Sequence, residues 1–294
     1  MGEHLRIDRK PELERPILVA AFRGWNDGAQ GASLALAFLA QSWEAERFAG
    51  IDPEEFYDFQ VNRPHVALSE GITRRIDWPD NAFYGAALPG VDRGVVLLLG
   101  IEPNLRWRTF AGEIVSLAEE LEVELVVTLG ALLADVPHTR PAPVTGSATD
   151  PELVQELGLA ASRYEGPTGI VGVLHDACRV AGIASASLWA AVPHYASLAA
   201  SPKAALALST RLAGLVGADL DTGELERAAA TYEQHVSEVV AENEETEAYV
   251  QELERRRDTL GDEMDMPSGD TLAAELTRFL REHEARRQEE NEDD

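Results

Sequence analysis

The sequence predicts an α/β protein: a mostly parallel sheet with helices on both faces, followed by a C-terminal helical appendage. Three observations predict it. Apolar runs at Pro16–Phe22, Gly94–Gly100, from Leu125 onward and at Ser185–Val192 read as strands buried on both faces, as parallel sheets require. Helical patterns stand between these runs at the spacing of crossover connections. From Asp221 the apolar period changes to alternating steps of three and four, the mark of helix packed on helix.

In chain order, residues 1–15 form a charged leader and residues 16–218 the α/β core. Residues 219–285 form the helical region, and 286–294 an acidic tail too polar to bury and expected to be disordered. The first strand, Pro16–Phe22, runs into Arg23-Gly-Trp-Asn-Asp-Gly-Ala-Gln-Gly31 and a helix over Ala32–Ser42. Gly24, Gly28 and Gly31 match neither a dinucleotide fingerprint nor a P-loop, so they read as tight-turn glycines, with Asn26 or Asp27 capping the helix. Glu54–Val61 is expected as a strand, Asn62-Arg-Pro-His-Val as a rigid polar connection, and Ile72–Trp78 as a half-exposed strand. Gly94–Gly100 is strongly buried and leads through Glu102-Pro-Asn-Leu-Arg-Trp-Arg into an amphipathic helix ending near Leu121. The next buried strand begins at Leu125 and breaks into Asp135-Val-Pro-His-Thr-Arg-Pro. Asp150 caps a short helix over Pro151–Leu157, and Ser162–Ile170 is a compact turn before a strand–helix unit over Ile170–Ala181. Ser185–Val192 ends in Pro193-His-Tyr195, and a helix follows over Lys203–Val216. Asp221-Thr-Gly-Glu224 has capping-box spacing. Leu225, Ala229, Tyr232, Val236, Val239, Val250, Leu253 and Leu260 then form a long stripe, suited to a partner helix in the same chain or a second subunit. Met266–Asp270 ends that stripe, and a final helix near Thr271–His283 carries Leu272, Leu276, Phe279 and Leu280 on one face.

Composition narrows the partners. The formal net charge is −27, which repels nucleic acid and anionic membrane surfaces. Half of that excess sits at the end, since Glu233–Asp294 holds 21 acidic and 7 basic side chains. No run approaches the roughly 20 apolar residues that span a bilayer, and the N-terminus lacks an apolar signal core, so a cytoplasmic protein is expected. Cys178, the single cysteine, lies in a helical pattern and reads as a buried structural thiol.

Candidate chemistry gathers where strands hand over to loops, the edge at which open α/β sheets bind ligands. Gly24, Trp25 and Asp27 follow the first strand, and Glu102 and Arg106 follow Gly94–Gly100. Asp135, His138 and Arg140 follow the Leu125 strand, Glu165 and Thr168 lie in the compact turn, and His194 follows Ser185–Val192. The same residues suit either a cleft or an interface, and Glu102 equally suits a structural ion pair with a nearby arginine. No metal-ligand spacing, no Gly-x-Ser-x-Gly elbow and no catalytic set is visible, so neither metal nor cofactor is expected. Two classes stand: an oligomeric binding protein, or a small-molecule enzyme or binder at the strand ends. For the second, nucleoside phosphorylase-like or hydrolytic chemistry fits better than carboxylate–amine ligation, which needs a nucleotide loop.

The segments RPILVAAFRGWNDGAQ, NRP at 62–64, GIEPNLRWRTF, LGALLADVPHTRP, YEGPTGI, SLWAAVPHY and PKA at 202–204 occur in that order. Together they resemble the proteasome assembly chaperone family, in its bacterial, actinobacterial-type branch, over roughly residues 15–260. The resemblance implies a core related to the purine nucleoside phosphorylase-like fold, a C-terminal helical portion, and homo-oligomers with a trimer favoured. It implies a non-catalytic, ATP-independent assembly-chaperone role with proteasome subunits as partners. Several archaeal and eukaryotic relatives dock by a C-terminal hydrophobic–tyrosine–any-residue motif. This chain ends Glu-Asn-Glu-Asp-Asp, so docking is expected through another surface.

Overall fold

In a computed structural model, residues 3–69, 73–148, 150–161 and 165–260 are described. The expected break at Met266–Asp270, helix at Thr271–His283 and tail at 286–294 lie outside them. The strands are β1 (Leu5–Ile7), β2 (Ile17–Arg23), β3 (Glu46–Ile51), β4 (His65–Ser69), β5 (Thr73–Asp77), β6 (Asn81–Ala87), β7 (Gly94–Ile101), β8 (Leu125–Ala134), β9 (Val144–Ala148), β10 (Ala160–Ala161) and β11 (Ala184–Pro193). The helices are α1 (Gly31–Ser42), α2 (Trp107–Glu120), α3 (Pro151–Glu156), α4 (Ile170–Ala181), α5 (Pro202–Val216), α6 (Gly223–Ala241) and α7 (Glu244–Leu260).

Nine strands form one sheet in the order β1-β3-β6-β7-β2-β8-β11-β9-β10, and β4 and β5 form a separate hairpin. The centre, β7-β2-β8-β11, is parallel. Its strands are the near-continuous apolar runs, because both faces are covered. The flanks are antiparallel where β6 meets β7 and where β9 meets β11. On one face, α1 and α5 enclose a core with Val19, Leu36, Leu97, Leu129 and Leu208. On the other, α2 and α4 enclose Leu18, Phe22, Leu98, Phe110 and Leu174. Helices on both faces of a sheet with a parallel centre make this the α/β fold expected.

Several local expectations are corrected. Glu54–Val61 is a run of turns rather than a strand, held by buried Phe56 and Tyr57, whose hydroxyl donates to Ile101 O at 2.5 Å. The rigid connection begun at Asn62 becomes β4 from His65, paired with β5 across Val66 and Ile76. The charged leader contributes β1, whose Leu5 pairs with Ile51 of β3. Ile170–Ala181 is helix throughout, with no strand inside it. The apolar stripe after Asp221 belongs to two helices, separated where Asn243 Oδ1 accepts from Glu245 N and Thr246 N, both at 3.0 Å. Its members Leu225, Ala229, Tyr232 and Val236 are buried on α6, whereas Val239 is exposed and its neighbour Val240 is buried instead. The stripe packs on α5 and the strand-end loops of its own chain.

Candidate functional site

The strand ends carry two polar clusters. In the first, the chain leaves β2 through Gly24, whose φ of +131° is a conformation that L side chains rarely adopt. Ala131 N of β8 donates to Asn26 O at 2.9 Å, which fixes the turn against the neighbouring strand. Asp27 then satisfies the N-terminus of α1, whose first N–H groups have no acceptor within the helix. Its Oδ1 accepts from Ala32 N at 2.8 Å and Ser33 N at 3.1 Å, and its Oδ2 from Ser33 Oγ at 2.5 Å. Burial pushes the Asp27 carboxyl above the usual range, opposed by these bonds.

Glu102 does the same for α4. Its Oε1 accepts from Ile170 N at 2.8 Å and from Asn26 Nδ2 at 3.1 Å, and the Trp25 backbone N–H also donates to its carboxylate. Burial raises its carboxyl too, again against these bonds. The fit is close: a Cβ at Gly169 would stand 2.5 Å from Glu102 Oε1 and closer still to Asn26 Nδ2. Thr168, one residue earlier, donates to Gly169 O at 3.4 Å. Arg106 lies apart from this cluster and pairs with Glu55.

The second cluster is the loop after β8 together with the end of β11, and α6 and α7 lie across both. His138 is 2 % exposed. Its backbone N–H donates to Tyr195 Oη at 2.9 Å, its Nδ1 meets the same oxygen at 2.9 Å, and its Nε2 meets Ser237 Oγ of α6 at 2.9 Å. Burial, reinforced by the nearby Lys203 ammonium, holds His138 below the ordinary histidine range. Lys203 donates to His138 O and pairs with Glu233 of α6. Thr139 donates to Glu254 of α7, and Arg140 grips Asp258 with Nε at 2.9 Å and Nη2 at 2.8 Å. Tyr249 of α7 donates to Asp135 Oδ1 at 3.0 Å, and His194 Nδ1 lies 3.3 Å from that oxygen. Tyr195 packs edge-on against His138, His194 and Tyr249, with ring centroids 5.6–6.2 Å apart where it meets the last two. Burial pushes the Tyr195 phenol up to about 12.

The predicted residues thus fall into two groups. Gly24, Trp25, Asp27, Glu102 and Thr168 stand at the helix N-termini of α1 and α4. Asp135, His138, Arg140 and His194 stand beneath the α6–α7 hairpin. Glu165 is exposed. Sequence reading missed Asn26 as a partner of Glu102, and Tyr195, Ser237, Tyr249, Glu254 and Asp258 as partners of the loop. Tyr195 had a signal, standing beside His194 at a strand end. The α7 carboxylates had none, because they resemble every other acid on a solvated helix. Among the described residues, no group of three or more His, Cys, Asp or Glu is placed to hold a metal ion. No helix among them is long and apolar enough to cross a membrane. Chemically, both clusters hold helices against strand ends.

The profile of the PAC2 family matches residues 21–240. No curated protein matches the chain. Among solved structures, a PAC2 family protein from Streptomyces avermitilis is 49% identical, with a TM-score of 0.75 over 80% of this chain and 99% of that one. A proteasome-assembly chaperone homologue from Mycobacterium tuberculosis is 46% identical, with a TM-score of 0.73 over the same shares. The archaeal proteasome activator of Pyrococcus furiosus, 18% identical, shares the fold at a TM-score of 0.66 over 80% of this chain and 97% of that one. The fold, the segments that frame both clusters and the profile match agree, and the chain belongs to the PAC2 family.

Proposed function

We propose that this protein is a non-catalytic, ATP-independent assembly chaperone that works as a homo-oligomer, a trimer favoured, on proteasome subunits. The observation that carries the reading is its 46% identity to the mycobacterial proteasome-assembly chaperone homologue over 80% of the chain. The site geometry supports it. Asp27 and Glu102 serve helix N-termini, and His138 and Arg140 hold α6 and α7, so the groups best suited to acid–base work are engaged in holding the fold. Catalysis needs such groups free to reach a substrate. Recovery of the chain with an affinity tag at native expression, in the absence of ATP, is expected to bring down proteasome α or β subunits. Recovery without any proteasome component would refute the partner. A requirement for ATP would refute the energetics.

A further inference from the structure

The last helix read from the sequence, Thr271–His283, lies outside the described residues, and its pattern asks for a cover. At 3.6 residues per turn, Leu272, Leu276, Phe279 and Leu280 fall on one stripe roughly 100° wide. Glu275 and Glu282 border one side of the stripe, Ala273 and Thr277 the other, and Arg278 and Arg281 stand behind. A helix this short is marginal alone in water, so its apolar stripe has to be buried for it to persist.

A groove of fitting shape opens beside the end of the described chain. It has a volume of about 840 Å³. α5 lines it from Lys203 to Gly214 at steps of three and one, and α6 from Glu226 to Glu233 likewise, so each wall is one face of a helix. The opposite face of α5, with Ala204, Ala205, Leu208 and Leu212, is already buried in the core. Leu206, Ala207 and Ala230 make the walls apolar between their charges. A valley between two helices is where a third packs, ridges into grooves. The α5 wall is about 16 Å long and the helix over 271–283 about 20 Å, at 1.5 Å per residue.

The tether selects the occupant. Arg257, in the last turn of α7, lines the groove, and α7 ends at Leu260. Residues 261–270 then reach at most about 33 Å. So short a link holds the helix near the groove at an effective concentration on the order of millimolar, which favours its own chain over any second copy. The charges agree wall by wall. Lys203 and Arg211 stand on the α5 wall, and Glu226 and Glu233 on the α6 wall. Setting Glu275 and Glu282 toward α5 places the neutral flank, Ala273 and Thr277, toward the α6 carboxylates and leaves Arg278 and Arg281 in solvent.

We propose that residues 271–283 form a helix seated in the α5–α6 groove of their own chain, with its acidic flank along α5.

Hydrogen exchange and cross-linking of the full chain test the seat. Amides of 271–283 are expected to exchange more slowly than those of an unstructured peptide. Leu276→Glu keeps a good helix former but is expected to lower the seated population on the order of tenfold to a hundredfold, releasing that protection. Ala230→Glu, at an exposed position of the groove wall, is expected to release it from the other side. Both variants are expected to keep the wild-type near-ultraviolet circular dichroism. Ala230→Cys with Ala273→Cys, treated with a short bismaleimide, is expected to link within one chain, since Cys178 is buried. The control pair, Ala273→Cys with Val180→Cys on α4 across the sheet, is expected not to link. Unprotected amides in the wild type, protection that survives Ala230→Glu, or a control pair that links as readily would overturn the seat. Covalent dimers in place of the internal link would give the groove to a second copy and overturn the proposal as well.

Discussion

Two histidines, His138 buried and His175 half-buried, link the stability of this fold to pH. His138 is held below the ordinary histidine range, chiefly by burial, and His175 is held at about 4 by the same cause. His175 lies on α4 with its Nε2 2.9 Å from Thr128 Oγ1 of β8, and Thr128 is fully buried. A histidine whose folded pKa is depressed stabilises the fold fully above its unfolded value near 6.5. That contribution is lost as pH falls, because the unfolded chain takes up the proton first. Stability should therefore fall between pH 6.5 and about 4, by up to about 1.4 kcal/mol per pH unit for each group that differs by a whole proton. His175→Gln keeps a polar partner for Thr128 and removes the titration. Urea midpoints measured across this range should show a shallower acid slope in the variant. An identical slope would mean that His175 is not one of the groups responsible.

At the scale of elements, the α6–α7 hairpin is joined to the strand ends by two kinds of bond of unequal strength. Arg140 reaches the exposed Asp258, and Thr139 and Lys203 the half-buried Glu254 and Glu233, while Tyr232, Val236, Val240 and Val250 pack with Tyr195 and Ala196. Exposed ion pairs contribute about 0–1 kcal/mol each, whereas a buried Leu truncated to Ala costs roughly 2–5 kcal/mol. Arg140→Ala should therefore leave the global melting temperature nearly unchanged and speed hydrogen exchange locally in α7. Leu253→Ala, at a buried position, should lower the melting temperature by several degrees. Equal effects of the two would show that the ionic contacts, not the apolar seam, hold α7. The same inequality explains what could be read from sequence. The central strands were legible because Ile17–Phe22, Val95–Leu98 and Leu125–Val127 are continuously apolar. β3 and β6 were not, since Glu46–Ile51 and Asn81–Ala87 are flank strands without a clean alternation. Glu54–Val61 misled because Phe56 and Tyr57 are buried by a loop, which no periodicity reveals. Of the candidate residues, Asp27 could be read as a helix cap from its place before Ala32. That Glu102 caps α4, 68 residues away, could not, because that contact exists only once the sheet has brought β7 beside α4.

For the whole molecule, the question is whether the core and the helical region can stand apart. The sequence pattern changes near residue 219, and side chains pack across that point. Leu225 of α6 is buried in the same cluster as Leu36, Leu129 and Leu212, and Trp43, just after α1, donates to Asp219 O at 3.3 Å. His138, fully enclosed with α6 in place, would lose Ser237 and face water. Removing residues 221–294 would expose the seats of Leu225, Tyr232, Val236 and Leu253, each worth about 1.5–3 kcal/mol of burial for a large apolar side chain. The sum reaches the 5–15 kcal/mol by which a whole protein of this kind is stable. The truncated chain should therefore not behave as a smaller, well-folded assembly. It should bind a hydrophobic dye, lose its near-ultraviolet circular dichroism and aggregate in light scattering, while the full chain melts in one cooperative transition. A truncated protein that retained the wild-type melting temperature and a discrete mass would establish 16–218 as a self-sufficient domain and would reduce α6 and α7 to a cover.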